Sequence, residues 1–287
     1  MMKHLAVAVL VLSACCARPA AAANYCTGYA STLSFGNDSP SSAVTVTTTV
    51  TVICSMGLAY RVGLSAGYGS GGTTTTRIMN SGQNLMGYKL FQDSARTINW
   101  GNNPPTDTLN GTGTGSAQVL TVYGTLPAGQ YVAPGSYSDT ITVYITSSAS
   151  PSSFQFGVNA TVLSTCAVSA TALNFGTYAG ALINNTSVLT VTCTNTTVFN
   201  IGLNAGTATG ATVTTRKMTG PASATLNYKL FRDGALTQNW GNTVGTDTLL
   251  SQSNGTALQY SVFGQMPAGQ SLKPGSYTDT ITATVTY

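Results

Sequence analysis

Apolar residues recur at every second position through much of the chain. Val44, Val46, Val50, Val52 and Cys54 share one parity, with threonines between most of them. Leu189, Val191 and Cys193 repeat the pattern, as do Ile141, Val143 and Ile145, and later Ile281, Ala283, Val285 and Tyr287. In FQFGVNATVL (154–163), Phe154, Phe156, Val158, Ala160 and Val162 alternate with Gln155, Gly157, Asn159 and Thr161. A period of two predicts strands with one face buried. Clusters of Gly, Pro and Asn separate the runs at short intervals, and no stretch holds a 3.6-residue apolar period. The expected class is all-β, built as antiparallel sandwiches.

The pattern occurs twice, at a spacing of 139–140 residues. LSFG (33–36) returns as LNFG (173–176), YKLF (88–91) recurs at 228–231, and NWG (99–101) recurs at 239–241. Arg77 and Met79 return as Arg216 and Met218, TDTL (106–109) as 246–249, and LPAGQ (126–130) as MPAGQ (266–270). PGSYSDTIT (134–142) becomes PGSYTDTIT (274–282). Copy one runs from Cys26 to about Thr146 and copy two from Cys166 to Tyr287. Ser147–Thr165, which holds FQFGVNATVL, has no counterpart.

Composition changes the picture by pointing outward from the cell. Only 6% of the 287 residues are charged, against about 25% in an average soluble domain; Thr, Ser, Gly and Asn take up the difference. Lys3 and His4, the apolar run Leu5–Leu12 and the triplet Ala21-Ala22-Ala23 read as a cleaved export signal over residues 1–23. The apolar run falls short of the roughly 20 residues that span a bilayer. Leu12-Ser13-Ala14-Cys15 also fits a lipoprotein cleavage box, so cleavage after Ala23 and cleavage at Cys15 both stand. Without residues 1–23, nine basic side chains face seven aspartates, and the basic residues are scattered, which is no footprint for nucleic acid. The remaining cysteines are Cys26, Cys54, Cys166 and Cys193. Because the spacing Cys26–Cys54 repeats as Cys166–Cys193, each copy is expected to close its own disulfide in an oxidising compartment.

Candidate chemistry is sparse. Beyond residue 23 there is neither His nor Glu. Six of the seven aspartates are three positions present in both copies: Asp93/Asp233, Asp107/Asp247 and Asp139/Asp279. Such residues read as turn-satisfying groups. GYGSGG (67–72) has no Lys-Ser/Thr and reads as a flexible loop, not a phosphate cradle. Trp100/Trp240 and Tyr137/Tyr277 read as core or corner aromatics. No enzyme activity and no cofactor are expected.

The series Cys…LNFG…Cys…R-x-M…YKLF-x-D…NWG…MPAGQ…PGSY-x-D-T-I-T resembles the spore coat protein U domain family, which includes the Csu-type pilins of archaic chaperone–usher pili. The resemblance covers both copies, and their tandem order resembles a two-domain tip adhesin. It implies immunoglobulin-like sandwiches that lack their last strand. A periplasmic chaperone first fills the gap, and a strand from the neighbouring subunit later replaces it. Family pilins carry that donor strand before the first cysteine. Here only Asn24 and Tyr25 precede Cys26 in the expected mature chain, whereas FQFGVNATVLST precedes Cys166.

The expectation is therefore a first domain (24–163) completed in cis by 154–163, with Phe156, Val158, Ala160 and Val162 filling its groove after a 147–153 loop. The second domain (164–287) lacks its final strand and takes one from the adjacent pilin. A subunit that accepts but does not donate sits at a fibre tip. The expected partners are a periplasmic pilus chaperone, an outer-membrane usher, the adjacent pilin, and a hydrophobic surface or receptor. The expected route is export through the periplasm to the cell surface. Comparing the copies marks Met56, Leu58 and Tyr68, opposite Asn195, Thr197 and Thr207, as surface-binding loop positions. A structural subunit of a spore coat or surface polymer is the alternative.

Overall fold

The computed structural model describes residues 23–38, 40–149 and 151–287. The expected signal segment, with both of its cleavage sites, lies outside them apart from Ala23. Among the described residues no helix is long and apolar enough to cross a membrane; the one helical element is a 3-10 turn at Pro221–Ser223.

The first domain holds ten strands. One layer contains β1 (Cys26–Ala30), β3 (Val44–Cys54), β8 (Ala117–Leu126) and β6 (Asn84–Phe91) in that order. The other contains β7 (Leu109–Thr112), β4 (Ala59–Leu64), β9 (Gly135–Ser147), β10 (Ser152–Val162) and β2 (Leu33–Asp38). The strand β5 (Arg77–Ser81) hairpins with β6 and reaches β9 through the single pair Asn80↔Ser138. The sheet thus curls back over one core. The predicted alternation is visible as burial: along β9, Tyr137, Asp139, Ile141, Val143 and Ile145 face inward.

The second domain repeats this plan with fewer strands. A five-stranded sheet runs β11 (Cys166–Ala170), β12 (Ile183–Cys193), β17 (Leu258–Met266), β15 (Thr225–Phe231), β14 (Arg216–Thr219). A separate sheet runs β16 (Leu249–Gln252), β13 (Val198–Leu203), β18 (Ala283–Thr286).

The same devices hold both cores. The disulfides are Cys26–Cys54 and Cys166–Cys193, at sequence separations of 28 and 27. Each joins paired residues of adjacent strands, and closing such a loop stabilises by about 3–4 kcal/mol in the chain-entropy picture. The indole N–H groups of Trp100 and Trp240, both fully buried, donate to the carbonyls of Val62 (3.0 Å) and Ile201 (2.9 Å). The hydroxyl of Tyr137 donates to the Ala133 carbonyl at 2.7 Å, and that of Tyr277 to the Lys273 carbonyl at 2.9 Å. This is the corner tyrosine of an immunoglobulin-like sandwich, tied four residues back.

Candidate functional site: one filled groove and one open groove

Two segments wall the same groove in each domain. The first wall is LSFG or LNFG. Its Leu and Phe pack against a glycine of the facing strand: a Cβ on Gly124 would lie 2.8 Å from Leu33, and one on Gly264 2.7 Å from Phe175. That close approach explains why glycine stands at both positions. The Phe rings meet Tyr88 and Tyr228 edge-on, each at 6.0 Å between centroids.

The second wall is the PGSY-x-DTIT segment, pinned by a buried polar network. Arg77 is fully buried. Its guanidinium donates to the carbonyls of Ser65 (2.8 Å), Thr74 (2.8 Å), Leu64 (3.1 Å) and Trp100 (2.7 Å). Arg216 makes the matching set with Asn204, Val213, Leu203 and Trp240. Burial brings both guanidinium groups down to about 10, so they remain charged at neutral pH, and four carbonyl acceptors offset the lost hydration.

Asp139 accepts from the Tyr88 hydroxyl (2.7 Å) and from the backbone N–H of Tyr68 (2.8 Å) and Thr140 (2.7 Å). Asp279 does the same with Tyr228, Thr207 and Thr280. Burial, together with the facing carboxylate, pushes the Tyr88 and Tyr228 hydroxyls well above their ordinary range. Asp93 and Asp233 tie their own loops through the N–H groups of Ile98 and Gln238, each at 2.7 Å. Asp107 and Asp247 accept from Asn103 (2.6 Å) and Thr243 (2.7 Å). The repeated aspartates are thus engaged in holding loops and walls.

In the first domain β10 lies between the walls. It pairs antiparallel with β9 without a break from Ser152↔Ile145 to Val162↔Gly135. On its other edge it pairs parallel with β2, at Val158↔Leu33 and Asn159↔Ser34, then, past a bulge, at Thr161↔Asn37 and Val162↔Asp38. Phe156, Val158, Ala160 and Val162 are all buried. Burying the three larger side chains is worth roughly 5–9 kcal/mol before entropy is counted. Phe154 is partly buried, and its ring lies over Gly28, where a Cβ would come within 2.6 Å of a ring carbon. The strand begins two residues earlier than its apolar pattern, because Ser152 and Ser153 join the ladder through backbone pairing alone. The return loop is correspondingly shorter than 147–153.

In the second domain both walls stand, and among the described residues no strand lies between them. LNFG is not a strand there, and its Phe175 still reaches the core. Only Ala283–Thr286 of the second wall is a strand, joined to β13 on one side. Tyr277, Asp279, Ile281, Ala283 and Val285 are half-buried, where Tyr137, Asp139, Ile141, Val143 and Ile145 are buried. A row of apolar side chains and an unpaired sheet edge line one groove.

The loop positions do not form a single patch. Met56 is 80% exposed and Tyr68 69% exposed. They lie beyond opposite ends of β4, which at about 3.3 Å per residue puts roughly 20 Å between them. Tyr68 also accepts a hydrogen bond from Gln155 of β10 at 2.9 Å. Leu58 is a correction: it is a core residue, turned inward by a tight turn in which its N–H donates to the Ser55 carbonyl at 3.1 Å. Sequence reasoning missed an outward row. Tyr29 and Val119, both exposed, flank Thr51 in register on the outer face of β1, β3 and β8, and their counterparts Ser169 and Gln259 are polar. The comparison of copies carries the signal, but in an alternating strand an apolar residue on the outer parity does not stand out from the inward ones.

A sequence model of the Spore Coat Protein U domain matches the chain twice, over residues 8–144 and 152–284. Protein U of Myxococcus xanthus is 37% identical over 128 residues, covering 40% of this chain and 71% of that protein. The crystal structure of the CsuC–CsuE chaperone–tip subunit pre-assembly complex, from the archaic chaperone–usher Csu pili of Acinetobacter baumannii, has the same fold. That match spans 92% of this chain and 100% of the matched chain, at a TM-score of 0.55 and 18% identity.

Proposed function

The chain belongs to the Spore Coat Protein U domain family, and from that premise we propose that it is the tip subunit of an archaic chaperone–usher pilus. The carrying observation is the asymmetry of the grooves. The first domain is completed by its own β10, and the second presents the matching groove with no strand in it among the described residues. In this reading a periplasmic chaperone covers the second groove in transit. At an outer-membrane usher, the adjacent pilin then replaces the chaperone with a strand of its own, laid against residues 275–285. The cost of leaving the groove open supplies the need for a chaperone: exposed core and a free edge promote aggregation. The common fold with the Csu complex supports the two-domain arrangement.

The first domain is then the outward-facing part, and its role is attachment. Met56 lies at the end of the domain where β9 turns into β10, the end opposite to the exit of β10 toward Cys166. Together with Tyr29 and Val119 on the adjoining sheet face it supplies exposed apolar contact area suited to hydrophobic surfaces, the first step of biofilm formation. Leu58 has no part in that surface.

Immunogold labelling of the chain on intact cells tests the assignment. Label confined to fibre ends is expected; label along the fibre length or spread over the envelope overturns it. The second outcome would favour a structural subunit of a spore coat or cell-surface polymer, the reading that the 37% identity to Protein U favours.

A further inference from the structure

The two grooves share the inward residues along the middle of both walls. Leu33 and Phe35 correspond to Leu173 and Phe175, Gly124 to Gly264, and Tyr137, Asp139 and Ile141 to Tyr277, Asp279 and Ile281. One end differs. Gly28 of β1, over which the Phe154 ring lies, is replaced by Val168 of β11. A single Cβ at Gly28 would stand 2.6 and 2.9 Å from two ring carbons of Phe154, and it would also press on the Thr51 carbonyl. Valine adds two further methyl groups at that place. The residue beside the ring on the second wall changes the other way, from Val143 to Ala283. Space is therefore lost beneath the incoming side chain, on the facing layer, and gained beside it, along the ladder.

We propose that Val168 sets which strand the second domain accepts: one whose first inward residue, opposite Ala283, is a short aliphatic and not an aromatic. The inference rests on the reading that this groove accepts a strand. The next three inward positions meet unchanged walls and take the same series as β10: a Phe-sized residue, a Val-sized residue and a small one. Phe154 makes β10 itself a poor occupant of the second groove. Gly28 and Val168 thus distinguish the two grooves at the Phe154 end. They keep the chain's own strand in its own domain, and they keep a second copy of the chain from inserting its β10 and building a polymer of tips. A strand from a different subunit, short at its first inward position, is the occupant that fits.

The test uses the chain from residue 23 onward with both disulfides formed. It is titrated with two synthetic peptides of the β10 sequence SSFQFGVNATVL (152–163), one unchanged and one carrying Phe154→Val. Binding is read by the mobility of the labelled peptide and by the thermal upshift of the second domain. The Phe154→Val peptide is expected to bind about five- to a hundredfold more tightly, the range that an overpacked contact typically costs. Val168→Gly, or the milder Val168→Ala where glycine weakens β11, is expected to restore binding of the unchanged peptide. If both peptides bind equally and neither substitution changes the ratio, the selectivity of Val168 is overturned while strand acceptance stands. If neither peptide binds, strand acceptance fails and the selectivity with it.

Discussion

Residues 135–142 and 275–282 read GSYSDTIT and GSYTDTIT. The first stretch opens a single strand, Gly135–Ser147. In the second, no strand begins until Ala283. One conservative difference, Ser138 for Thr278, is no cause for that. The cause is the neighbour: β10 supplies a hydrogen-bonding partner for β9 along its length, and among the described residues the second copy has none beside it. Strand propensity is largely a preference for a pleated, half-buried, paired environment. Near-identical sequence in and out of that environment separates the two contributions within one molecule.

The comparison breaks most directly at Val158. That side chain is buried and pairs across the ladder with Asp139. Val158→Asp puts a second carboxylate beside the first in a dry site and is expected to cost about 3–5 kcal/mol in the first domain. Hydrogen exchange of residues 135–145 should then rise to the level of 275–285; protection that survives the substitution would mean that β10 is not what orders β9.

A smaller effect is expected at Gly28. Gly28→Val imposes the second domain's groove end on the first and should destabilise it by about 1–3 kcal/mol in chemical denaturation. Phe154→Ala should cost less in that background than in the native one, a coupling of about 1 kcal/mol or more. Additive costs would show that the ring and the strand do not compete for the same space.

The third prediction sharpens what the domains share. The N–H groups of Ile98 and Gln238 hold the Asp93 and Asp233 carboxyls below their ordinary value. A carboxyl depressed in the folded state adds stability that is fully present above the unfolded value of about 3.9, and that is lost as pH falls through the lower folded value. Both domains should therefore weaken in parallel below about pH 4. Asp93→Asn and Asp233→Asn should each flatten that slope in their own domain, as followed by acid titration of the unfolding midpoint.

The smallest effect on stability belongs to the surface. Met56→Ser with Val119→Thr should leave the unfolding midpoint within about 0.5 kcal/mol and lower attachment of piliated cells to polystyrene. Unchanged attachment would remove this face from the adhesion surface.

Much of this was legible beforehand, for identifiable reasons. The duplication exposed the disulfide pairs, since identical spacing leaves one economical pairing. The parity of Phe156, Val158, Ala160 and Val162 marked a strand whose buried face needs no tertiary information. Leu58 was misplaced because a loop residue's direction is decided by a turn, here the Ser55–Leu58 hydrogen bond, and not by hydropathy. In the sequence Arg77 and Arg216 stand out only as repeat markers. A buried guanidinium leaves no composition signal, and what makes burial tolerable, four carbonyls brought from three separate segments, exists only after folding. The shortened strand at 275–287 was beyond any reading of local sequence, because the same letters form a strand elsewhere in the chain.

The polar network around Asp279 has one more consequence. It holds the second wall through Tyr228 and Thr207 while the groove stands empty. Fixing a residue's backbone costs roughly 1–2 kcal/mol of entropy, and at Asp279 that loss is taken when the domain folds. The stretch 275–282 around it is not in a strand. On the proposed reading, an arriving strand meets one fixed anchor and has to order itself and the ladder on either side of it.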